Sequence, residues 1–293
     1  RHHLYLLAGA WLKRRTGIPY VLEVNSPLYE ERSKNGGIAL RSIARSTERW
    51  VWRQADAVLP VTQVLAEILV NSGVRRARIT VVPNGIHPER FAGYESLAAA
   101  KQRLGLQDYL VLGFTGFVRD WNALDRVIGY LARKGNEHCM LLLVGDGPAR
   151  SALEALAVSM GVADRVRIVG VVGRDEIRNY VAAFDVALQP AANPYASPLK
   201  LFEYLALGRA IVAPAQPNLL EVLRDGEDAV LFDPLVANAL EAALDRLVHA
   251  PQLREALGRQ AATLIASRDY TWSGNARRVA QLSLELAARG VGG

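Results

Sequence analysis

The sequence predicts an α/β protein with two doubly wound blocks, each a parallel sheet covered by helices on both faces. Three observations support this fold class. Short β-branched and aliphatic runs alternate with helix-length segments along most of the chain. The 293 residues, 51% of them hydrophobic, are enough to bury two substantial cores. A polar, alanine-rich connection near residues 92–106 separates the two sets of strands.

The first block, residues 1–95, is predicted to contain three strands. Each is a mostly aliphatic run that ends at a polar or turn-forming residue. A helix ending in WVWRQA lies between the first two strands. The predicted strands are YVLEVN (20–25), AVLPVT (57–62) and ITVVPNG (79–85).

The second block, residues 106–270, is predicted to contain six strands separated by helix-length stretches, and a final helix occupies residues 271–293. In open parallel sheets, ligands bind beyond the carboxyl ends of the strands. The loops that follow these strands are therefore expected to carry the site. The strands are YLVLGFTG (109–116), MLLLVGDG (140–147), VRIVG (166–170), VALQP (186–190), AIVAP (210–214) and AVLF (229–232).

The composition argues against several classes of protein. No uninterrupted apolar run approaches the roughly 18 to 20 residues of a membrane-spanning helix. Cys139 is the single cysteine, which excludes an internal disulfide and is typical of a reducing cytoplasm. No histidine or carboxylate cluster has metal-ligand spacing. We therefore predict a cytoplasmic protein with no bound metal or cofactor.

The net charge of +6 is unevenly distributed. Residues 1–90 carry 14 Lys and Arg against 7 Asp and Glu, a balance of +7, and the remaining 21 against 22 carry −1. In the predicted helix LRSIARSTERWVWRQA, arginines recur at every fourth position. Such a stripe is either a solvated face or a contact for anionic lipid on the inner membrane surface. No zinc-finger or RNA-recognition pattern is present, so no nucleic-acid partner is predicted. The stripe is Arg41, Arg45, Arg49 and Arg53.

The segment SPLKLFEYLALGRAIVAP predicts a helix over residues 198–207 with two opposite charges in it. Ser197 is a suitable N-cap, and Gly208 supplies a left-handed stop. Lys200 in the first turn opposes the helix dipole, which an anionic ligand at the helix amino end would explain. The alternative is a weak exposed ion pair between Lys200 and Glu203, three residues apart.

Seven segments, in chain order, together resemble a known family. They are VVPNGIHPERF, FTGFVRDWNALDRVI, LLLVGDGPARSALEAL, FDVALQP, SPLKLFEYLALGRAIVAP, LLEVLRDGEDAVLF and YTWSGNARRV. They resemble the retaining glycosyltransferases of the GT-B fold, in the large family-four group. The resemblance implies two Rossmann-like domains facing across a cleft, and transfer of a sugar from a nucleotide diphosphate donor, with retention at the anomeric carbon and without a bound metal.

The resemblance also assigns roles on the donor side. Glu203 matches the second glutamate of the family's donor motif, which binds the nucleotide ribose, whereas Tyr195 stands where the first glutamate is expected. Gly116 would allow close approach of the diphosphate, and Arg119 would contact it. The family's usual lysine after this strand is missing, and Lys200 is expected to compensate.

Further positions follow from the same resemblance. Ser197 and Leu199 fall where the family offers backbone amides to the phosphates. Val171 and Val172 fall where the backbone pairs with the base. On the acceptor side, Asn25 replaces a histidine found in many relatives, and it could hydrogen-bond a sugar hydroxyl without acting as an acid or base. The alternative for Asn25 is a turn residue at a strand end.

Two other functions remain open at this stage. A nucleotide-sugar epimerase of similar fold would release an altered sugar nucleotide without an acceptor, and a non-catalytic module would only bind the nucleotide sugar. The chain starts inside what looks like a helix, and three strands are few for such a domain, so we expect the first domain to be incomplete. An incomplete domain should bind nucleotide, transfer sugar poorly, and expose a sheet edge prone to association.

Overall fold

The computed structural model describes residues 2–35 and 37–290, and they form two compact α/β units. The first unit comprises the described residues up to Gly85, together with Asn193–Ser197 and the residues from Trp272 onward. The second unit comprises Ile86–Ala192 and Pro198–Thr271. The division therefore assigns residues 86–95 to the second unit, whereas the predicted domains placed them in the first.

The first unit is built on two parallel strands, in which Val21 lies opposite Ala57 and Val24 opposite Pro60. Alternate residues of the first strand point into a core that includes the buried Trp52. No helix in the described part of the chain is both long and apolar enough to span a membrane. The elements of this unit are α1 Ala8–Thr16, β1 Val21–Val24, α2 Leu28–Asn35, α3 Arg41–Gln54, β2 Ala57–Pro60, α4 Gln63–Asn71 and α13 Trp272–Gly290.

The third predicted strand of this unit, residues 79–85, is wrong as a strand, because only a single bridge forms there, between Ile79 and Val58. The N–H of Thr80 donates to the carbonyl of Val58 over 3.1 Å, and the N–H of Val82 to that of Pro60 over 2.9 Å. A parallel ladder also requires residue 60 to donate back to Thr80. Proline has no N–H, so the pairing stays one-sided.

The second unit is built on six parallel strands in the order β5-β4-β3-β6-β7-β8, and all six predicted strands are confirmed. The predicted connection near 92–106 also contains a helix, which Ser96 caps by accepting a hydrogen bond from Ala99 N over 3.3 Å. Its elements are α5 Leu97–Leu104, β3 Leu110–Thr115, α6 Leu124–Leu131, β4 Cys139–Val144, α7 Arg150–Ser159, β5 Val166–Gly170, α8 Ile177–Val181, β6 Val186–Leu188, α9 Leu199–Ala206, β7 Ala210–Pro214, α10 Pro217–Leu220, β8 Val230–Phe232, α11 Ala239–Val248 and α12 Pro251–Ser267.

A close backbone contact between α9 and α12 fixes the position of α9. Gly208 ends α9 in the predicted left-handed conformation, with φ of +59°. A Cβ atom added to Gly258 in α12 would lie only 2.3 Å from the carbonyl oxygen of Gly208. The two elements can approach this closely only because neither residue has a side chain.

The substitution Gly258→Ala should therefore lower the free energy of unfolding by about 1 to 3 kcal/mol, the usual effect of overpacking a filled contact. Gly129 in α6 is the matched control, since a Cβ atom there would meet nothing closer than 4.0 Å. Gly129→Ala should stabilise the protein by about 0.5 to 1 kcal/mol through helix propensity. Urea titrations of both variants test this, and an unchanged Gly258→Ala midpoint would contradict the contact.

Candidate functional site

The chain reverses its direction of travel across the second sheet between β3 and β6. From β3 it moves outward through β4 to β5, and it then returns to the other side of β3 to build β6, β7 and β8. The connections that follow β3 and β6 therefore lead away from each other, which leaves a crevice at the carboxyl ends of these strands. Gly116 follows β3 directly, and α9 is the helix that follows β6.

The glycines after β3 and β4 allow two loops to touch through their backbones. The N–H of Gly116 donates to the carbonyl of Val144 over 2.9 Å. A Cβ atom on Gly145 would lie 1.9 Å from the carbonyl oxygen of Gly116, and one on Gly147 would lie 2.1 Å from that of Val118. Close packing of these two loops thus explains why glycine occupies positions 145 and 147. The loop after β4 packs directly against the backbone of Gly116.

Lys200 brings a positive charge from α9 to Gly116. Its Nζ lies 3.5 Å from the ring centroid of the fully buried Phe114. A Cβ atom on Gly116, whose φ is +123°, would lie 3.2 Å from this Nζ. Among the described residues, none forms a salt bridge with the ammonium within 4.0 Å. Burial lowers the pKa of Lys200 to about 7, and the negative charge of Glu203 partly opposes this effect.

Glu203 lies one turn after Lys200 and is partly buried. Burial raises the pKa of its carboxyl, whereas the positive charges of Lys200 and Arg174 lower it. The alternative interpretation, an exposed ion pair between Lys200 and Glu203, is not observed. In the described structure the Lys200 ammonium and the Glu203 carboxylate are more than 4.0 Å apart. Both charged groups are largely shielded from solvent, and neither has an ion-pair partner among the described residues.

The start of α9 differs from the prediction. Pro198 occupies the cap position, and no side chain caps the helix, so the prediction of Ser197 as the N-cap is wrong. Ser197 belongs to the first unit, where its Oγ accepts a hydrogen bond from the N–H of Asn84 over 3.3 Å, and its carbonyl accepts one from Asn84 Nδ2 over 2.7 Å. Leu199, the first helical residue, is 51% exposed.

Arg119 lies on the loop after Gly116, as the sequence indicated, and its side chain is exposed. Its guanidinium carbon is 4.8 Å from the ring centroid of Phe117, which is itself 58% exposed. The N–H of Arg119 donates to Asn122 Oδ1 over 2.7 Å, which holds the backbone of this loop. The guanidinium is therefore positioned at the rim of the loop, without a carboxylate partner among the described residues.

The positions predicted for the base follow β5, at the edge of the sheet. Val171 is 83% exposed, whereas Val172 packs against the apolar cluster around α9. The side chain of Val172 is thus anchored, whereas Val171 extends into solvent. The structure thus places Gly116, Lys200 and Glu203 together, with Val171 and Val172 on another loop of the same unit.

Asn25 lies in the first unit, directly after β1. Its Oδ1 is buried and has no hydrogen-bond partner in the described part of the chain, which the turn interpretation does not explain. Tyr195 belongs to the same unit, and its carbonyl accepts a hydrogen bond from Thr62 Oγ1 over 2.9 Å. Burial raises the pKa of Tyr195 to about 12, with a further contribution from the charges of Glu30 and Glu31.

Sequence reasoning missed three residues of these sites. Phe114 supports the ammonium of Lys200, but an aromatic residue inside a strand pattern indicates only a core position. Arg174 acts on Glu203 from the loop after β5, and no local pattern marks it. Asn84 donates a hydrogen bond to the carbonyl of Ser197. The Asn-Gly pair in VVPNG, a turn signal, is the one local pattern that could have drawn attention to this residue.

Within the described ranges, no group of three or more histidine, cysteine or acidic side chains is arranged to hold a metal ion. The prediction that the protein works without a metal or cofactor stays a prediction.

Two family models match the chain. Residues 109–250 match the model described as glycosyl transferases group 1. Residues 2–85 match the model described as a glycosyl transferase 4-like domain. The first match covers most of the second unit, and the second match covers most of the first.

Curated relatives include two sugar transferases of bacteria. A D-inositol 3-phosphate glycosyltransferase of Streptosporangium roseum is 30% identical over 302 residues, which cover 96% of this chain and 68% of the relative. A 2-deoxystreptamine glucosyltransferase of Streptomyces kanamyceticus is 31% identical over 198 residues, which cover 64% of this chain. The chain spans about half of the latter relative, 51% of its length.

Among solved structures, HepE of Anabaena in complex with UDP is similar in fold. It has a TM-score of 0.81 and 19% sequence identity, and the match covers 94% of this chain and 74% of that one. This similarity confirms the Rossmann-like two-domain fold class predicted from the alternation of strands and helices.

Proposed function

Because this chain belongs to the glycosyl transferases group 1 family, we propose that the protein transfers a sugar from a nucleotide diphosphate sugar to an acceptor, with retention of configuration at the anomeric carbon. The observation that carries the donor part of the proposal is the ammonium of Lys200 against Gly116, at the crevice of the second sheet, which has no salt-bridge partner among the described residues. A cation held in a water-poor crevice without a carboxylate partner suits an anionic ligand.

In this reaction the bond between the anomeric carbon and the diphosphate oxygen breaks, and a new bond to the acceptor oxygen forms on the same face of the sugar. The acceptor proton moves to an oxygen of the departing diphosphate, which leaves as the nucleoside diphosphate. Negative charge develops on that diphosphate in the transition state. Lys200 and Arg119 stabilise it electrostatically, and Gly116 allows the phosphates to approach the backbone.

The remaining residues position the substrates. Glu203 binds the hydroxyls of the ribose, and the backbone at Val171 and Val172 binds the base. Leu199 offers its N–H to the phosphates from the first turn of α9. Asn25 binds a sugar hydroxyl, and its orphaned Oδ1 supports this role, because a buried acceptor without a donor is satisfied when a ligand supplies one.

The relatives suggest which substrates to try first. HepE was solved with UDP, so UDP is the first nucleotide to test. The names of both reported transferases contain a cyclitol, inositol 3-phosphate in one and 2-deoxystreptamine in the other, so a polyhydroxylated ring is the first acceptor class. An acceptor linked to a lipid is the second. The buried, unpaired Cys139 suits a cytoplasmic location.

Calorimetry with UDP, GDP and ADP, followed by nucleotide release from the matching sugar donor, tests the proposal. Release that depends on an acceptor supports transfer. Release of an altered sugar nucleotide without an acceptor would indicate an epimerase, which the matching family models do not favour. Binding without release in any condition would leave a non-catalytic module, and absence of binding to all three nucleotides would contradict the donor site.

The substitution Glu203→Ala should weaken nucleoside diphosphate binding by about 1 to 3 kcal/mol, the scale of lost hydrogen bonds at a buried group. The free energy of unfolding should not decrease, because burial already disfavours the charged carboxylate, which has no direct partner. Glu255→Ala, at an exposed position of α12, is the control. Equal nucleotide affinity in the two variants would remove Glu203 from the site.

A further inference from the structure

We propose that α1 and α3 of the first unit form a docking surface for an anionic lipid bilayer, on which exposed aromatic and aliphatic side chains enter the interface while arginines bind the headgroups. We call it the α1–α3 surface and define it by Leu7, Trp11 and Arg14 at α1, and by Arg45, Arg49, Trp50 and Arg53 on α3. The inference concerns location, so it goes beyond the transfer reaction and does not depend on it.

Contacts near the carboxyl end of α1 connect this helix to α3. The Lys13 ammonium of α1 donates to the carbonyl of Gln54, at the end of α3, over 2.8 Å, and it pairs with Asp56 at 2.7 Å. The guanidinium of Arg14 lies 5.5 Å from the ring centroid of Trp50. These contacts join the carboxyl-terminal part of α1 to α3, and Leu7, just before α1, lines the same groove as residues of α3.

An open groove runs along this face. Its volume is about 680 Å³, and its lining includes Leu7, Trp50 and three arginines of the stripe, Arg45, Arg49 and Arg53. Arginine side chains around an indole floor combine phosphate-binding donors with an apolar base. This combination suits a phospholipid headgroup and the upper part of its chains.

Apolar side chains at α1 and α3 are exposed to solvent as well. Trp11 is 58% exposed, with the guanidinium of Arg15 at 5.6 Å from its ring, and Leu7 is 40% exposed. On α3, Ile43 is 50% exposed. Tryptophan next to basic residues is the composition of helices that lie in the plane of a membrane interface.

Charge decides in favour of a bilayer over a second copy of the chain. All six arginines of α1 and α3 are exposed or line the groove, and the first 90 residues carry a balance of +7. Two copies facing each other here would bring like charges together, whereas an anionic bilayer complements them.

Flotation with vesicles tests the proposal on the full chain. We expect binding to phosphatidylcholine vesicles that contain phosphatidylserine, weak binding to phosphatidylcholine alone, and loss of most binding at high salt. The triple substitution Arg45→Gln, Arg49→Gln and Arg53→Gln should weaken binding by about fivefold for each arginine. Trp11→Ser should remove the part of the binding that survives high salt.

The matched control carries the same change of charge elsewhere, with Arg133→Gln, Arg246→Gln and Arg259→Gln at exposed positions of the second unit. It should float like the unchanged protein, and thermal unfolding checks that all variants fold. An equal loss in both triples would reduce the effect to net charge and overturn the proposal. Absence of binding to acidic vesicles would also overturn the proposal. A dimer in sedimentation that Trp11→Ser dissociates would do the same, because the α1–α3 surface would then bind a second copy of the chain.

Discussion

Replacing Lys200 with methionine should weaken nucleoside diphosphate binding by about 10- to 150-fold and at the same time stabilise the protein. The loss follows from removing the charged group that we propose contacts the phosphates, worth about 1.5 to 3 kcal/mol. The gain follows because the ammonium lies over Phe114 and has no ion-pair partner among the described residues, so folding places a charge in a poorly solvated position. Methionine fills similar space without a charge.

Calorimetry gives the affinity, and thermal unfolding without nucleotide gives the stability. Lys134→Met is the control, because Lys134 is exposed and should change neither quantity. A variant that lost both stability and affinity would show that Lys200 is a structural residue of the core. A variant that kept full affinity would show that the phosphates bind elsewhere.

The affinity for nucleoside diphosphate should fall as the pH rises above about 7, by up to tenfold per pH unit. Burial lowers the pKa of Lys200 to about 7, so above that pH the amine is mostly neutral and must take up a proton to bind the diphosphate. The negative charge of Glu203, on the same helix, raises the pKa of Lys200 and so partly opposes the effect of burial. Asp146, on the neighbouring loop, instead accepts hydrogen bonds from Gly147 N and Arg150.

Lys200→Arg tests this, because arginine stays charged and should bind with little change between pH 7 and 9. Calorimetry in buffers of different ionisation enthalpy should also detect proton uptake with Lys200 and none with arginine. A flat pH profile in the unchanged protein would contradict the prediction while leaving nucleotide binding itself intact.

The same shift has a consequence for stability. A lysine whose folded pKa lies near 7, below the ordinary 10.5, binds fewer protons when folded, so the free energy of unfolding rises with pH between these values. Burial raises the pKa of Cys139 to about 11, which opposes the rise above pH 9. The difference in the free energy of unfolding between the unchanged protein and Lys200→Met, measured as a function of pH, therefore gives the contribution of Lys200 alone.

The sequence by itself determined the α/β class, the six strands of the second sheet, and Gly208 as the end of α9. These are properties of short segments, in which aliphatic runs, helix-length spacings and a left-handed glycine act through local geometry. The family could also be inferred from the sequence, because seven of its motifs occur in a set order along the chain. Residues 79–85 show the limit of this reasoning, since their pairing failed through Pro60, which lies on another strand.

Only the tertiary structure decided which of the predicted site residues meet. It placed Lys200 of α9 against Gly116 and Phe114 of β3, and it directed Ser197 to Asn84 in the first unit instead of to the helix cap. It also explained Gly145 by a carbonyl 29 residues away, that of Gly116. Contacts between residues distant in the chain depend on the packing of whole elements, and burial then sets the pKa of Lys200, which no local pattern encodes.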